Sequence, residues 1–342
     1  MSIEKILNYS MVSEECKDLV KSIQIKGTSI SVTIGSDITV LIKTDSIKLR
    51  LHYYTQPEDM YWEWGAYGRK KKLLTPRTIE VNVFDNVGHR ISGPTLTYSE
   101  LTMKDWLQHL KNIFNYDEVD YIEFFERSTN FDIDDIREVF GNKSKIEMLF
   151  LDTDAYRQLI LEKFFPIEKL SIKMSIFGNS RVPANILIQN FEYLSIEDLS
   201  YDEVITLDEL LMINSKEVKI TKIQVSPKDF NKFIKLWQQG SSPLMECLSI
   251  SYRNDGEDEL GRIIINEEYN ANNIMKGIKH DVVPANRIRK FKSVESNNSR
   301  LVHGGIDIHR NDGVKATIQT ERMLFTTIWY MYVWLDHCVI ES

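Results

Sequence analysis

Seven histidines, three cysteines and a knot of aspartates are where chemistry could begin in this 342-residue chain. The histidines are His52, His89, His109, His280, His303, His309 and His337. None stands at the HExxH spacing of a zinc hydrolase, and Cys16, Cys247 and Cys338 are too scattered for a CxxC site. His303 and His309 flank Gly304-Gly305 and a strand, and read as surface or strand histidines rather than a metal or catalytic pair. Asp132, Asp134 and Asp135 crowd the start of a helix. The EF-hand glycine and closing glutamate are missing, so these carboxylates suit the helix dipole better than Ca²⁺. The chain has no P-loop, no dinucleotide fingerprint and no Gly-x-Ser-x-Gly elbow. The sequence therefore implies no catalytic, cofactor-binding or metal residue, and points to a non-catalytic scaffold. An enzyme with dispersed site residues is the competing reading.

Composition narrows the partners. Hydrophobic residues make up 42% and charged residues 27%, values that suit a soluble globular chain. The net charge of -8 disfavours nucleic acid. The short basic run Arg69-Lys70-Lys71-Lys72 reads as a solvated loop. No apolar stretch reaches the ~18 residues of a membrane span, and the start Met-Ser-Ile-Glu-Lys lacks a secretory pattern. Few, unevenly spaced cysteines suit a reducing compartment. The expectation is an intracellular protein, cytoplasmic and/or nuclear, with no membrane partner and no cofactor.

The elements that would present a binding face recur. Short segments of alternating apolar residues follow helical stretches: Tyr121–Phe124, Met148–Leu151, Lys169–Ile172, Tyr193–Ile196, Val218–Ile220 and Cys247–Ile250. With Ile122, Leu149, Leu170, Leu194, Val218 and Leu248 as equivalents, the spacings are 27, 21, 24, 24 and 30 residues. Helix signals fill the gaps. Thr102 with Asp105, and Thr206 with Glu209, read as capping pairs. Ser226-Pro227 opens a helix with Phe230, Phe233, Ile234 and Trp237 on one face, and Gly240 closes it. Strands separated by helices must run parallel with right-handed crossovers. The expectation is an α/β chain built on a degenerate leucine-rich-repeat-like helix–strand solenoid. Its outward strand positions are Glu123, Phe150, Ser171, Lys173, Ser195, Lys219 and Ser249, the candidate partner-binding face. An ordinary α/β core of accidental regularity is the other reading.

Antiparallel β elements flank the array. Around Gly35-Ser36-Asp37, a three-residue loop would pair Ile34 with Ile38, Val32 with Val40 and Ile30 with Ile42. Ile47, Leu49 and Leu51, then Ile79, Val81 and Val83, extend the meander. Near the other end, Asn311-Asp312-Gly313 would join Ile306 and Ile308 to Ala316 and Ile318, with Gly313 left-handed. The aromatic loop Tyr61, Trp62, Trp64 and Tyr67 is either a contact site or a cover for a sheet edge. Residues 255–259 and 297–299 read as loops. The resulting division is 1–22 helical, 23–98 antiparallel β, 99–256 helix–strand repeats and 257–342 β.

Residues 207–214 and 226–250 resemble the nematode family of F-box proteins that carry the type 2 F-box-associated domain. Asp229 to Gly240 is similar to the family's signature helix, and Leu244-Met245-Glu246-Cys247-Leu248-Ser249-Ile250 stands where the family places a strand. Gly304 to Ile308, Asp312-Gly313 and Met331 to Trp334 look like the family's end. Residues 9–22 resemble only the second half of an F-box, and the first half is missing. The resemblance implies a substrate-recognition subunit of a cullin–RING ubiquitin ligase, with a protein target and a Skp-type adaptor as partners. Met11, Val12, Leu19 and Val20 are the implied adaptor contacts. The alternative it allows is an F-box-derived binding module that no longer engages the adaptor and sequesters or competes for its target.

Overall fold

Strict alternation along residues 30–42 forms the hairpin that the sequence predicts. Ile30, Val32 and Ile34 face Ile42, Val40 and Ile38 across the ladder, and all six are buried. The computed structural model describes residues 3–54, 73, 76, 78–91, 95–97, 100–141, 145–149, 153–173, 177, 181–198, 204–221, 225–253, 271–295, 299–323 and 326–340. The chain divides into two units, Met1–Ile167 and Glu168–Ser342.

The first unit contains α1 (Ile3–Ser10), α2 (Glu14–Ser22), β1 (Gly27–Ile34), β2 (Ile38–Thr44), β3 (Ile47–Tyr54), β4 (Thr78–Asp85) and β5 (Thr95–Thr97). It continues through α3 (Met103–Ile113), β6 (Tyr121–Phe124), α4 (Ile133–Phe140), β7 (Lys145–Met148) and α5 (Asp154–Phe164). Its strands lie in the order β7-β6-β1-β2-β3-β4-β5. β1 to β5 form an antiparallel meander, while β6 joins β1, and β7 joins β6, in parallel. Thr102 closes a capping box with Asp105 at the start of α3, whose Trp106 and Leu110 are fully buried. Asp132 caps α4, with Asp134 and Asp135 in its first turn.

The second unit contains β8 (Lys169–Lys173), α6 (Ala184–Leu187), β9 (Tyr193–Glu197), α7 (Leu207–Met212), β10 (Glu217–Thr221), α8 (Pro227–Gln238) and β11 (Cys247–Arg253). α9 (Ala271–Ile274), β12 (Asp281–Lys292), β13 (Ser299–His309), β14 (Lys315–Arg322) and β15 (Thr326–Val333) follow. The strand order is β8-β9-β10-β11-β15-β14-β13-β12. The first four are parallel. β15 then pairs antiparallel with β11, and the rest return as a meander. α8 begins as its sequence dictates: Ser226 accepts from the Asp229 amide, Pro227 sits in the first turn, and Gly240 follows at φ +105°. Phe230, Phe233, Ile234 and Trp237 are its buried face. The Ile306–Ile318 and Ile308–Ala316 pairs form as expected around Gly313, which has φ +92°.

The helix–strand solenoid is corrected by this topology. Among the described residues, those in strands (39%) outnumber those in helices (29%), and the strands belong to large mixed sheets. The expected repeats supply only the parallel rows within them. Two helices between those rows are only 4 and 6 residues long, α6 and α7, so among the described residues no uniform helical layer stacks behind the strands. The flanking strands do not stand apart from the parallel rows as separate sheets. β1 hydrogen-bonds to β6 and β15 to β11, which satisfies backbone edges that stacked repeats would leave open.

One register also differs. The strand expected at residues 148–151 is β7, Lys145–Met148. Ile146 rather than Leu149 stands opposite Ile122, and the Leu149 amide closes onto the Phe124 carbonyl at 2.8 Å. Ile146 and Met148 are the buried pair, leaving Leu149 past the strand's end.

Candidate functional site

A parallel strand shows every second side chain on one face. In the second unit, register aligns Ser171, Ser195, Lys219 and Ser249 across β8 to β11, and the row continues to Tyr330 and Gln319. Four residues chosen from sequence therefore share one line. Lys173 lies in the next row and pairs with Glu197 at 3.5 Å. Glu123 belongs to the first unit, where it accepts a 2.8 Å hydrogen bond from Thr33. Phe150 and the aromatic loop residues Tyr61, Trp62, Trp64 and Tyr67 lie outside the described residues. Of the suggested adaptor contacts, Val12 is 72% and Leu19 57% exposed, Met11 is half-buried, and Val20 is 1% exposed, within the core.

Sequence reasoning missed the row just before. Two residues upstream on successive strands stand Tyr193, Glu217 and Cys247, facing Tyr332 on β15. The same period of two that exposed Ser195, Lys219 and Ser249 could have found them. Their role depends on a fold-back that no local pattern announces. β13 pairs with β14 only through residues 306–309, while residues 299–303 pair with β12 alone. The ribbon bends at Gly304 and Gly305, both left-handed at φ +59° and +117°. A Cβ on Gly304 would meet the Val283 carbonyl at 2.7 Å, and one on Gly305 the Ile318 carbonyl at 2.7 Å. A register shift between Val283 and Ile288 accommodates the bend on β12.

The bent ribbon packs on the sheet face. Phe291 and Val302 are fully buried against Cys247, Tyr332 and Cys338. The turn at residues 293–295 is tied to the missed row. The buried Glu217 carboxylate accepts from Ser293 Oγ at 2.9 Å, from the Glu295 amide at 3.2 Å, and from the Val294 amide. Burial raises the Glu217 carboxyl above its ordinary range, and these donors offset only part of that. Glu295 in turn accepts from Tyr193 Oη at 2.9 Å and Lys219 Nζ at 3.0 Å, and pairs with Arg300. Burial opposes its charge, yet Lys219, Tyr193 and Arg300 hold the carboxyl below its ordinary range. Lys169 adds a 2.6 Å bond to the Val294 carbonyl.

Beside this tether a groove of about 750 Å³ stays open. Ser249 and Tyr330 on the sheet, and Arg300 and His303 on the ribbon, are among its walls. Tyr330 stacks on Tyr332 with centroids 5.5 Å apart, and the Arg300 guanidinium lies 5.8 Å from the Tyr330 ring centre. Burial and then the Glu321 charge push the Tyr330 phenol up to about 12, so it stays a hydroxyl. Arg300 and Lys219 already share the Glu295 carboxylate. The groove therefore offers aromatic faces and hydroxyls more than free positive charge, a chemistry suited to a polypeptide segment. Glu246, His337 and Cys338 are the residues that could hold a metal among those described.

A sheet face half-roofed by its own ribbon thus leaves an aromatic groove open. Residues 182–250 match the F-box associated family, and this segment supplies Lys219, Thr221 and Ser249 to the groove. The F-box associated domain-containing protein sdz-33 of Caenorhabditis elegans is 23% identical over 149 residues, 44% of this chain. The match spans 45% of that relative, a little under half its length. No solved structure matches the chain. These findings bear out the likeness to nematode proteins with an F-box-associated domain, and support a protein-binding role. No helix among the described residues is long and apolar enough to cross a membrane.

Proposed function

We propose that the second unit is the target-recognition part of an F-box-type substrate-recognition subunit of a cullin–RING ubiquitin ligase. The observation that carries this reading is that the segment matching the F-box associated family, 182–250, supplies Lys219, Thr221 and Ser249 to the open groove. The target is a protein, and ubiquitin transfer belongs to partner enzymes, so this chain supplies no catalytic residue and no cofactor. The row Ser171, Ser195, Lys219 and Ser249 contributes through Ser249 and Lys219, which reach the groove. Met11, Val12 and Leu19 are left to meet a Skp-type adaptor.

A second reading is an F-box-derived module that binds its target without the adaptor. The observation favouring it is Val20, which is spent on the chain's own core and withheld from any partner. Mixing the purified chain with a Skp-type adaptor on a sizing column separates the two. A stable complex supports ligase assembly. Separate elution at roughly micromolar concentrations rejects it and leaves the sequestering module.

A further inference from the structure

Away from the groove, two segments bring an oxygen, a nitrogen and a sulfur donor together. Glu246 precedes β11, where its backbone is fixed on both sides: its amide donates to the Lys216 carbonyl at 2.7 Å and its carbonyl accepts from the Val333 amide at 2.8 Å. His337 and Cys338 lie in the 3-10 turn Asp336–Cys338. That turn is closed by a 2.9 Å bond from the Cys338 amide to the Leu335 carbonyl, and the chain beyond it pairs Val339 with Phe291. One carboxylate oxygen of Glu246 stands 2.9 Å from His337 Nε2, and the other 3.4 Å from Cys338 Sγ. All three donor atoms lie within 4.8 Å of one another.

We propose that Glu246, His337 and Cys338 form a binding site for a thiophilic divalent cation of the zinc class. A mixed carboxylate, imidazole and thiolate set selects Zn²⁺ over Mg²⁺ or Ca²⁺, which demand oxygen shells. Zinc bonds of about 2.0–2.3 Å place tetrahedral ligands roughly 3.5 Å apart. The Glu246–Cys338 separation already fits. The His337 side chain is 64% exposed, so its ring is free to adjust its distances to Glu246 and Cys338. Its exposure also leaves the fourth position to water.

Charge and protons balance on binding. The Cys338 thiol donates to the Glu246 carboxylate at 3.4 Å and so brings a proton to the site. Binding forms the metal–sulfur bond and releases that proton to solvent. The His337 imidazole binds neutral through Nε2 with its proton on Nδ1. Carboxylate plus thiolate then neutralise a divalent ion. Lys216, the nearby cation, is engaged by Glu192 at 2.7 Å. The bound ion would staple the C-terminal turn to the root of β11, and through Val339 and Phe291 would hold the ribbon that roofs the groove.

Titrating the metal-free full chain with Co²⁺ tests this. The expected result is a thiolate-to-cobalt charge-transfer band that saturates at one equivalent and is bleached by Zn²⁺. Cys338→Ser should abolish the band, and His337→Ala should weaken Zn²⁺ binding by roughly tenfold or more. His337 is a surface ring, so its variant keeps the fold even if removal of the buried thiol does not. Absence of a band in the full chain, a band that survives in Cys338→Ser, or unchanged affinity in His337→Ala would each overturn the site.

Discussion

Lys219 Nζ stands 3.0 Å from Glu295 Oε1, which turns a residue on the open strand row into part of the chain's own tether. Its side chain is 43% exposed, so the pair is solvent-screened. Lys219→Met should cost only about 0.5–1 kcal/mol. Arg300 remains on Glu295 in that variant, which keeps the turn in place. A denaturant-unfolding cycle with Glu295→Gln checks the coupling. Costs that simply add would show that the two side chains do not interact.

The Glu217 carboxylate is the stronger anchor. It is 3% exposed and accepts from one hydroxyl and two backbone amides of residues 293–295. Glu217→Gln removes an acceptor and turns an N–H toward those donors. The expected loss is about 2–3 kcal/mol, the scale of buried groups left unpaired. Hydrogen exchange at the Val294 and Glu295 amides should accelerate before the rest of the unit responds. Unchanged protection there would free the turn from Glu217.

Much of this framework is written locally. The pairing of Ile30, Val32 and Ile34 with Ile42, Val40 and Ile38 follows from alternation around a short turn, and the capping of α8 from Ser226-Pro227. The row Ser195, Lys219, Ser249 follows from the same period. The mixed sheets do not, because apolar alternation cannot say which strand a given edge accepts. β1 and β6 are joined across 90 residues, as the Asp120 carboxylate bonded to the Ile30 amide shows. β7 slipped because Ile146 and Leu149 both offer apolar positions, and pairing with Ile122 decides between them. Glu295 stayed hidden because its partners come from strands far back in the chain. Even the glycines that fold it over, Gly304 and Gly305, read only as a family feature until the bend is seen.

Those glycines divide by what surrounds them. Gly305 has φ +117° and a hypothetical Cβ 2.7 Å from the Ile318 carbonyl, whereas Gly313 has φ +92° and open space. Gly313→Ala should therefore cost about 1 kcal/mol of backbone strain. Gly305→Ala should cost about 3 kcal/mol or more, since main chain must also move. Thermal unfolding of the two variants side by side checks the order. Equal shifts would mean that the ribbon yields at the bend and that the close approach is not what fixes it.

His109 supplies a pH signature for the first unit. Its ring packs edge-on to Trp106 with centroids 6.0 Å apart and bonds to Ser10 Oγ at 2.9 Å. Burial, helped by the Lys17 charge and opposed by Glu14, lowers its pKa from 6.5 to about 4. The folded state thus keeps the imidazole neutral where the unfolded chain takes up a proton. Stability from this residue is complete above 6.5, declines as pH falls toward 4, and is level below that. The full decline is at most about 3 kcal/mol. Other groups titrate in the same range, so the comparison is with His109→Leu, which has no such proton to take up. Ser10 loses little in that variant, because its hydroxyl also donates to the Leu7 carbonyl at 2.6 Å. Denaturation midpoints of the two proteins should converge as pH falls from 7 to 4. Parallel profiles would mean that His109 can be protonated in place, with its packing against Trp106 and Ser10 open to water.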